Sequence, residues 1–228
     1  MDFNALFQDV ERHENPQLKT AGPDKAAIST AIRMDCTKGM ERLPDSYFDL
    51  AVVDPPYGLS EKLTTGGTWA SKYSSDDSKW DIPPDQHYFD ELFRVSKNQI
   101  IWGGNYFALP KNRCFLIWDK VAHMETLADC EYAWTSFDSN AKVFQRVRNI
   151  NNEARIHICQ KPVALYEWIF RRFTNPGDTI LDTHLGSQSS RIAASKHGLP
   201  FLGFEIAPNY FLAGNKRFDI FSSQLRIF

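Results

Sequence analysis

The sequence predicts an α/β domain built on a doubly wound, mostly parallel sheet with helices on both faces. Three observations predict it. Short apolar runs such as DLAVVD, residues 49–54, stop at turn signals, as strands buried on both faces do. Those runs alternate with helix-length segments along the chain. Asp182 and Glu205 each end a run and flank a turn and a helix, which is the layout of a βαβ unit.

The elements follow in order. Residues 1–30 are polar, broken by Pro16 and Gly22-Pro23, and read as an N-terminal arm or short helix. Ala31 to Met34 reads as a short strand ending at Asp35, and residues 49–54 as a buried one. Residues 58–87 are rich in Gly, Ser, Thr and Asp and carry no period, so they form a long loop up to a helix over 85–96. Residues 98–102, 114–118 and, more weakly, 130–135 are further strands, and 138–156 is a polar, basic loop. Pro162 opens a helix that runs to about Phe173, at the first-turn position that proline tolerates. After the turn at 175–178 come a strand over 179–182, a helix over 187–197 ended by Gly198, a strand over 201–205 and a helix over 209–217. Residues 1–228 thus read as one domain, with mostly short connections and no repeat.

Composition narrows the function classes. A chain of 228 residues, 43% hydrophobic and 24% charged, can bury a sizeable core and is too apolar for disorder. The four cysteines form no Cys-x-x-Cys pair, which disfavours zinc and predicts buried reduced thiols; no metal is expected. Met1 to Val10 resembles no signal or transit peptide, and no run approaches membrane-spanning length. Cytoplasm, without a membrane partner, is the expectation. A net charge of −2 excludes a passive basic nucleic-acid coat, so contact with DNA needs clustered cations. Lys142, Arg146, Arg148 and Arg155 form such a cluster and are the candidate phosphate contacts, although a solvated surface would look the same.

Asp182 and Glu205 place acids at the carboxyl edge of the sheet, where a carboxylate can accept the ribose hydroxyls of a nucleoside. The loop between them reads Gly186-Ser187-Gln188-Ser189-Ser190-Arg191 and lacks the glycine set that cradles a pyrophosphate. S-adenosylmethionine has no phosphate, and one glycine for close backbone approach suffices for it. A helix N-terminus or Lys161 can hold its amino-acid carboxylate.

Asp54-Pro55-Pro56-Tyr57 stands directly after an apolar strand. The exocyclic amino nitrogen of adenine is a poor nucleophile because its lone pair is delocalised into the ring. Two acceptors on its N–H bonds pull the nitrogen toward a tetrahedral shape. The Asp54 carboxylate and a carbonyl of the proline-fixed turn can supply them. Tyr57 offers a flat face for an extruded base. The bland alternative is a Pro-Pro turn with Asp54 as a cap.

With these segments in hand, the sequence resembles the β-class amino-methyltransferases of DNA. The resemblance rests on MDC…LPDSYFDLAVVDPPYG, HICQKPVALYEWIF and NPGDTILDTHLGSQSSRIAASKHGLPFLGFEIAPNYF, in that order. It implies a Rossmann-like methyltransferase sheet, S-adenosylmethionine as cofactor, adenine in DNA as substrate and a possible homodimer. Asp54, Pro55 and Tyr57 match the catalytic motif, and Lys161 and Pro162 the lysine-proline pair near the methionine end of the cofactor. Asp182 and Gly186 match the glycine-loop motif, Glu205 the ribose-binding acid and Asp35 an acidic position near the cofactor's adenine. Pro56 completes the catalytic turn; Thr183, His184 and Ser187 complete the candidate cofactor loop.

Thr183-His184 stand where the family has Pro-Phe, Gln188 where it has a second glycine, and His157-Ile158-Cys159-Gln160 where it has His-Pro-Thr-Gln. Target reading falls to residues 58–87 and 138–156, with Trp69, Tyr73 and Trp80 as candidate stacking rings. Two rivals stay open: methylation of RNA or a protein glutamine, and a cofactor-blind DNA-binding subunit.

Overall fold

The computed structural model describes residues 6–14, 29–59, 81–121, 128–147, 156–157 and 159–224. Their strands are β1 (Arg12–Glu14), β2 (Ser29–Arg33), β3 (Phe48–Val53), β4 (Ser96–Trp102), β5 (Phe115–Asp119), β6 (Cys130–Thr135), β7 (Lys142–Gln145), β8 (Ile180–Asp182) and β9 (Phe201–Glu205). Their helices are α1 (Cys36–Glu41), α2 (Gln86–Val95), α3 (Val163–Phe173), α4 (Ser189–Lys196) and α5 (Pro208–Gln224). All nine strands form one sheet in the order β1-β2-β9-β8-β3-β4-β6-β5-β7. The run from β2 to β4 is parallel, with β1 and β6 antiparallel to their neighbours.

The two-residue alternation of strands sorts the core into two layers. Leu50 and Val52 of β3 face α3 and α4 through Leu165, Ile169, Ala193 and Ala194. Ala51 and Val53 face α1 and α2 through Met40, Leu92 and Val95. This two-sided burial explains why β3 reads as an unbroken apolar run. Helix α2 begins where Asp85 accepts the Tyr88 amide at 3.0 Å. It buries Tyr88, Phe89, Leu92 and Val95, spaced so that one stripe meets the sheet. Leu92 is fully buried, so Leu92→Ala would cost about 2–5 kcal/mol.

Several sequence expectations need correction. The arm does not stay outside the sheet: β1 pairs antiparallel with β2, and β2 starts at Ser29. The segment 138–156 contains β7, whose side chains are mostly exposed and carry no inward apolar alternation. The last helix extends to Gln224 because Phe211 and Phe218 are buried one and three turns in. Of the cysteines, all free, only Cys114 is buried; Cys130 and Cys159 are exposed.

Buried Arg191 on α4 ties the β1–β2 edge to α4 and α5. It donates to Ser29 Oγ and O, Gln188 Oε1, Asn215 Oδ1 and His13 O, and stands 4.0 Å from the centroid of the Phe218 ring. These acceptors satisfy its donor groups without a carboxylate, and burial pushes its pKa down to about 9.

Candidate active site

The chain leaves β3 toward β4 on one side and β8 toward β9 on the other. That reversal is the switch point at the carboxyl ends of β3 and β8, the place where open α/β sheets form their ligand crevice. The register sets Ala51 opposite Leu181, so Asp54 emerges just above the end of β8, which is Asp182. Glu205 ends β9 next door, and Arg33 pairs with Glu205, which brings Asp35 to the same edge. The two distant segments therefore meet along one sheet edge.

Backbone amides organise the cofactor-loop acids. Asp182 accepts the His184 amide at 3.0 Å and the Ser190 hydroxyl at 2.5 Å. Burial pushes its pKa up to about 7 against those hydrogen bonds. Glu205 accepts the Gly186 amide at 2.8 Å on one oxygen and the Ala207 amide at 2.9 Å on the other. Burial raises the Glu205 pKa, and the amides work against the rise. Gly186 has φ +46, and a Cβ there would come within 3.3 Å of the His157 ring.

Gln188 adopts the left-handed conformation (φ 59) that the replaced glycine would supply. Its amide donates to Leu185 O at 2.7 Å, and its side chain turns away to Asn215 and Arg191. The loop thus keeps a left-handed turn at this position without glycine. Thr183 meets the Tyr88 hydroxyl at 2.7 Å and His184 Nδ1 at 2.9 Å. Burial pushes His184 down to about 4, so its ring is neutral near pH 7. Ser187 contacts the Ser189 hydroxyl, and its carbonyl accepts from Arg217 at 2.7 Å.

The chemical half is built from side chains. Asp54 Oδ1 accepts the Tyr57 hydroxyl at 2.5 Å, and Oδ2 accepts the Lys161 ammonium. Lys161 reaches Glu131 at 3.1 Å, and Glu131 reaches Lys120 at 2.8 Å. Both lysines are buried. Burial raises Asp54 above the ordinary carboxylate range, and Lys161 opposes the rise. Burial also opposes ionisation of Glu131, yet Lys161 and Lys120 hold it down at about 2. Lys161 is raised despite burial, by Asp54 and Glu131. Its ammonium stands 5.2 Å from the centroid of the Trp102 ring.

Pro55 is buried and anchors the turn. The Tyr57 ring stacks on Tyr106 at 5.0 Å and 18°. Gly103 (φ +67) lies so close that a Cβ there would approach Tyr57 Cε1 to 2.1 Å. Gly103 therefore serves both its own turn and the seating of Tyr57.

The candidate residues Asp35, Asp54, Lys161, Asp182, His184, Gly186 and Glu205 all belong to this edge. Asp35 caps α1 by accepting the Lys38 amide at 3.0 Å, and Pro162 caps α3. The cationic candidates separate. Arg146 follows β7 at the carboxyl edge, whereas Lys142 begins that strand at the opposite end. Four inter-strand steps from β3 place β7 roughly 19 Å away along the sheet. Arg148, Arg155, Trp69, Tyr73 and Trp80 lie outside the described residues.

Sequence reading missed Glu131, Lys120, Gly103 and Tyr106. The first two join only through the antiparallel β5–β6 pair, where the Lys120 amide donates to Asp129 O. A charged residue at a strand end ordinarily reads as solvent-facing. The Gly103-Gly104 pair directly after an apolar run was the one available signal for a close backbone approach.

Comparison with known proteins agrees with this geometry. A family model described as DNA methylase, of N6/N4 type, matches residues 96–216, just over half of the chain. The DNA adenine methyltransferase YhdJ of Escherichia coli K12 is 39% identical over 79 residues, covering 35% of this chain and only 27% of YhdJ. The putative methylase YubD of the same organism is 26% identical over 211 residues, covering 83% of this chain and 90% of YubD.

Among solved structures, the cytosine-N4-specific PvuII DNA methyltransferase superposes with a TM-score of 0.58 at 13% identity, covering 85% of this chain and 91% of that one. The M1.HpyAVI–SAM complex superposes at 0.54 with 18% identity, covering 82% and 97%. These structural likenesses bear on the fold and agree with a Rossmann-like sheet. With the family model spanning β4 to α5, the chain belongs to the N6/N4 DNA methylase family.

Proposed function

We propose that this protein transfers a methyl group from S-adenosylmethionine to the exocyclic amino nitrogen of adenine in DNA, on a base turned out of the duplex. One observation carries the reading: the Asp54 carboxylate stands at the mouth of the same crevice as the Asp182–Glu205 loop. The name of YhdJ supports adenine, and the bound ligand of the M1.HpyAVI structure supports the cofactor.

The residues present fit that cofactor. Each Glu205 oxygen uses one acceptor position on a loop amide and retains another for a ribose hydroxyl. Gly186 lets the loop backbone pack against the His157 ring, 3.3 Å from where a Cβ would stand, and Lys161, expected to hold the cofactor carboxylate, is paired with Asp54 and Glu131. When bound, S-adenosylmethionine supplies the methyl group on a cationic sulfur, as an electrophile that needs no metal.

The chain's own groups do the rest. Asp54 accepts one amino N–H and a carbonyl of the 55–56 turn accepts the other, which frees the nitrogen lone pair. Tyr57 stacks the base. Tyr106, 50% exposed, sits on Tyr57 as a base would and swings aside on entry. The methylated nitrogen is cationic and gives its proton to Asp54 or to water. Arg146 contacts backbone phosphate at the same edge.

The test is transfer of tritiated methyl to DNA, followed by digestion to nucleosides. N6-methyladenine is expected. Label in N4-methylcytosine would move the substrate to the other base of the family, and label only in RNA or peptide would move it out of DNA. Absence of label in every acceptor, with S-adenosylmethionine binding seen by calorimetry, would sink the reading.

A further inference from the structure

Asp54, Lys161, Glu131 and Lys120 form one buried row of alternating charge. Asp54 has a partner on each oxygen, Tyr57 on one and Lys161 on the other. Each oxygen keeps a further acceptor position for an amino N–H, but the Lys161 ammonium opposes proton uptake, so taking a proton requires that hold to loosen. Lys161 is the partner that can leave, because it is shared: its ammonium already lies 3.1 Å from Glu131.

We propose that Glu131 is a positioning residue, an alternative seat for the Lys161 ammonium, and that Lys120 sets how strongly that seat pulls. The inference rests on the reading of Asp54 as the acceptor in methyl transfer. When Lys161 moves toward Glu131, Asp54 gains basicity. When it moves back, the carboxylate is capped and the crevice stays electrically balanced. With both carboxyls ionised, two carboxylates face two ammoniums, so the shift requires no net charge to be buried.

The ammoniums of both lysines stand over aromatic rings, Lys161 5.2 Å from the Trp102 centroid and Lys120 5.4 Å from the Trp118 centroid. The ammoniums are therefore confined to a short path along the strand ends. Other titratable groups that face this row are Tyr57, Tyr88, Cys159, Tyr166 and Asp182, with Asp81 beside Cys159.

Two variants separate positioning from mere support because they push Asp54 in opposite directions. Glu131→Gln removes the competing anion and commits Lys161 to Asp54, so the Asp54 pKa falls. Lys120→Met frees Glu131 to draw Lys161 away, so the Asp54 pKa rises. The Asp54 side-chain carbon resonance, followed against pH in the carbon-13-labelled full-length protein and assigned by its loss in Asp54→Asn, reads this without turnover.

The expected result is a titration midpoint moved down in Glu131→Gln and up in Lys120→Met. In steady-state methylation the acid limb of kcat moves the same way. The kcat of Glu131→Gln falls at least about tenfold, with the Kd for S-adenosylmethionine within about threefold of wild type. Midpoints unchanged, or moved in the same direction in both variants, would overturn the proposal. So would a loss of kcat matched by an equal loss of cofactor affinity. Wild-type protein inert on DNA with opposed resonance shifts would leave Glu131 as the seat and remove only the methylation reading.

Discussion

Two sets of carboxylates share one sheet edge and are held in opposite ways. Asp182 and Glu205 take the main-chain amides of His184, Gly186 and Ala207, with the Ser190 hydroxyl as a further donor to Asp182. Asp54 takes two side chains, the Tyr57 hydroxyl and the Lys161 ammonium. Main-chain donors are fixed by φ and ψ, so the loop acids are set before any ligand arrives. Side-chain donors can rotate away, so Asp54 can exchange partners. One side of the sheet edge is rigid by construction and the other is adjustable.

The largest break in that comparison is Asp54→Asn. It keeps the shape but removes the charge, and methyl transfer should fall by about 10³-fold or more while cofactor affinity changes little. A kcat within tenfold of wild type would mean that Asp54 only caps its turn. Next comes Glu205→Gln. Its amide group can accept on one oxygen only, so one loop N–H loses its partner. Cofactor affinity should drop by roughly 10–100-fold, in line with about 1.5–3 kcal/mol for a charge-assisted hydrogen bond. Calorimetry against S-adenosylmethionine measures it.

Asp182→Asn sharpens the contrast through pH. The folded pKa of Asp182 is near 7, above the ordinary 3.8. The group therefore stabilises the fold fully below about pH 4 and loses that contribution as pH rises through 7. Asparagine has no such penalty. The melting temperature of the variant relative to wild type should improve steadily from pH 5 to pH 8; a flat difference would refute the buried protonated carboxyl. The smallest effect is expected from Gln188→Gly. It relieves left-handed backbone strain but strips hydrogen bonds from buried Arg191 and Asn215. A net destabilisation of about 1 kcal/mol, with cofactor affinity unchanged, is expected from denaturant unfolding.

The same contrast explains what could be read in advance. The loop acids were legible because a local rule places them: an acid that ends a buried strand before a helix falls at the carboxyl edge, whatever else surrounds it. Asp54 was legible for the same reason, with Pro55 and Pro56 marking the turn. Gln188 looked like a defect in the loop because its left-handed backbone is held by a side-chain network with Asn215 and Arg191, one of them 27 residues away. Strand β7 was missed because an exposed edge strand carries no inward apolar period. Lys142 and Arg146 looked like one patch, but an extended strand sets its two ends apart.

By itself the sequence determined the alternation of buried strands and helices, the acids at their carboxyl ends and the proline turn that carries Asp54. Each depends on residues within a few positions of one another. Tertiary structure alone decided which charges Asp54 would face. Lys161, Glu131 and Lys120 come from a segment before α3 and from two strands of reversed direction, and only closure of the sheet brings them within ion-pair distance. Coulomb attraction in a buried site acts on distance in space, and no spacing along the chain encodes that distance.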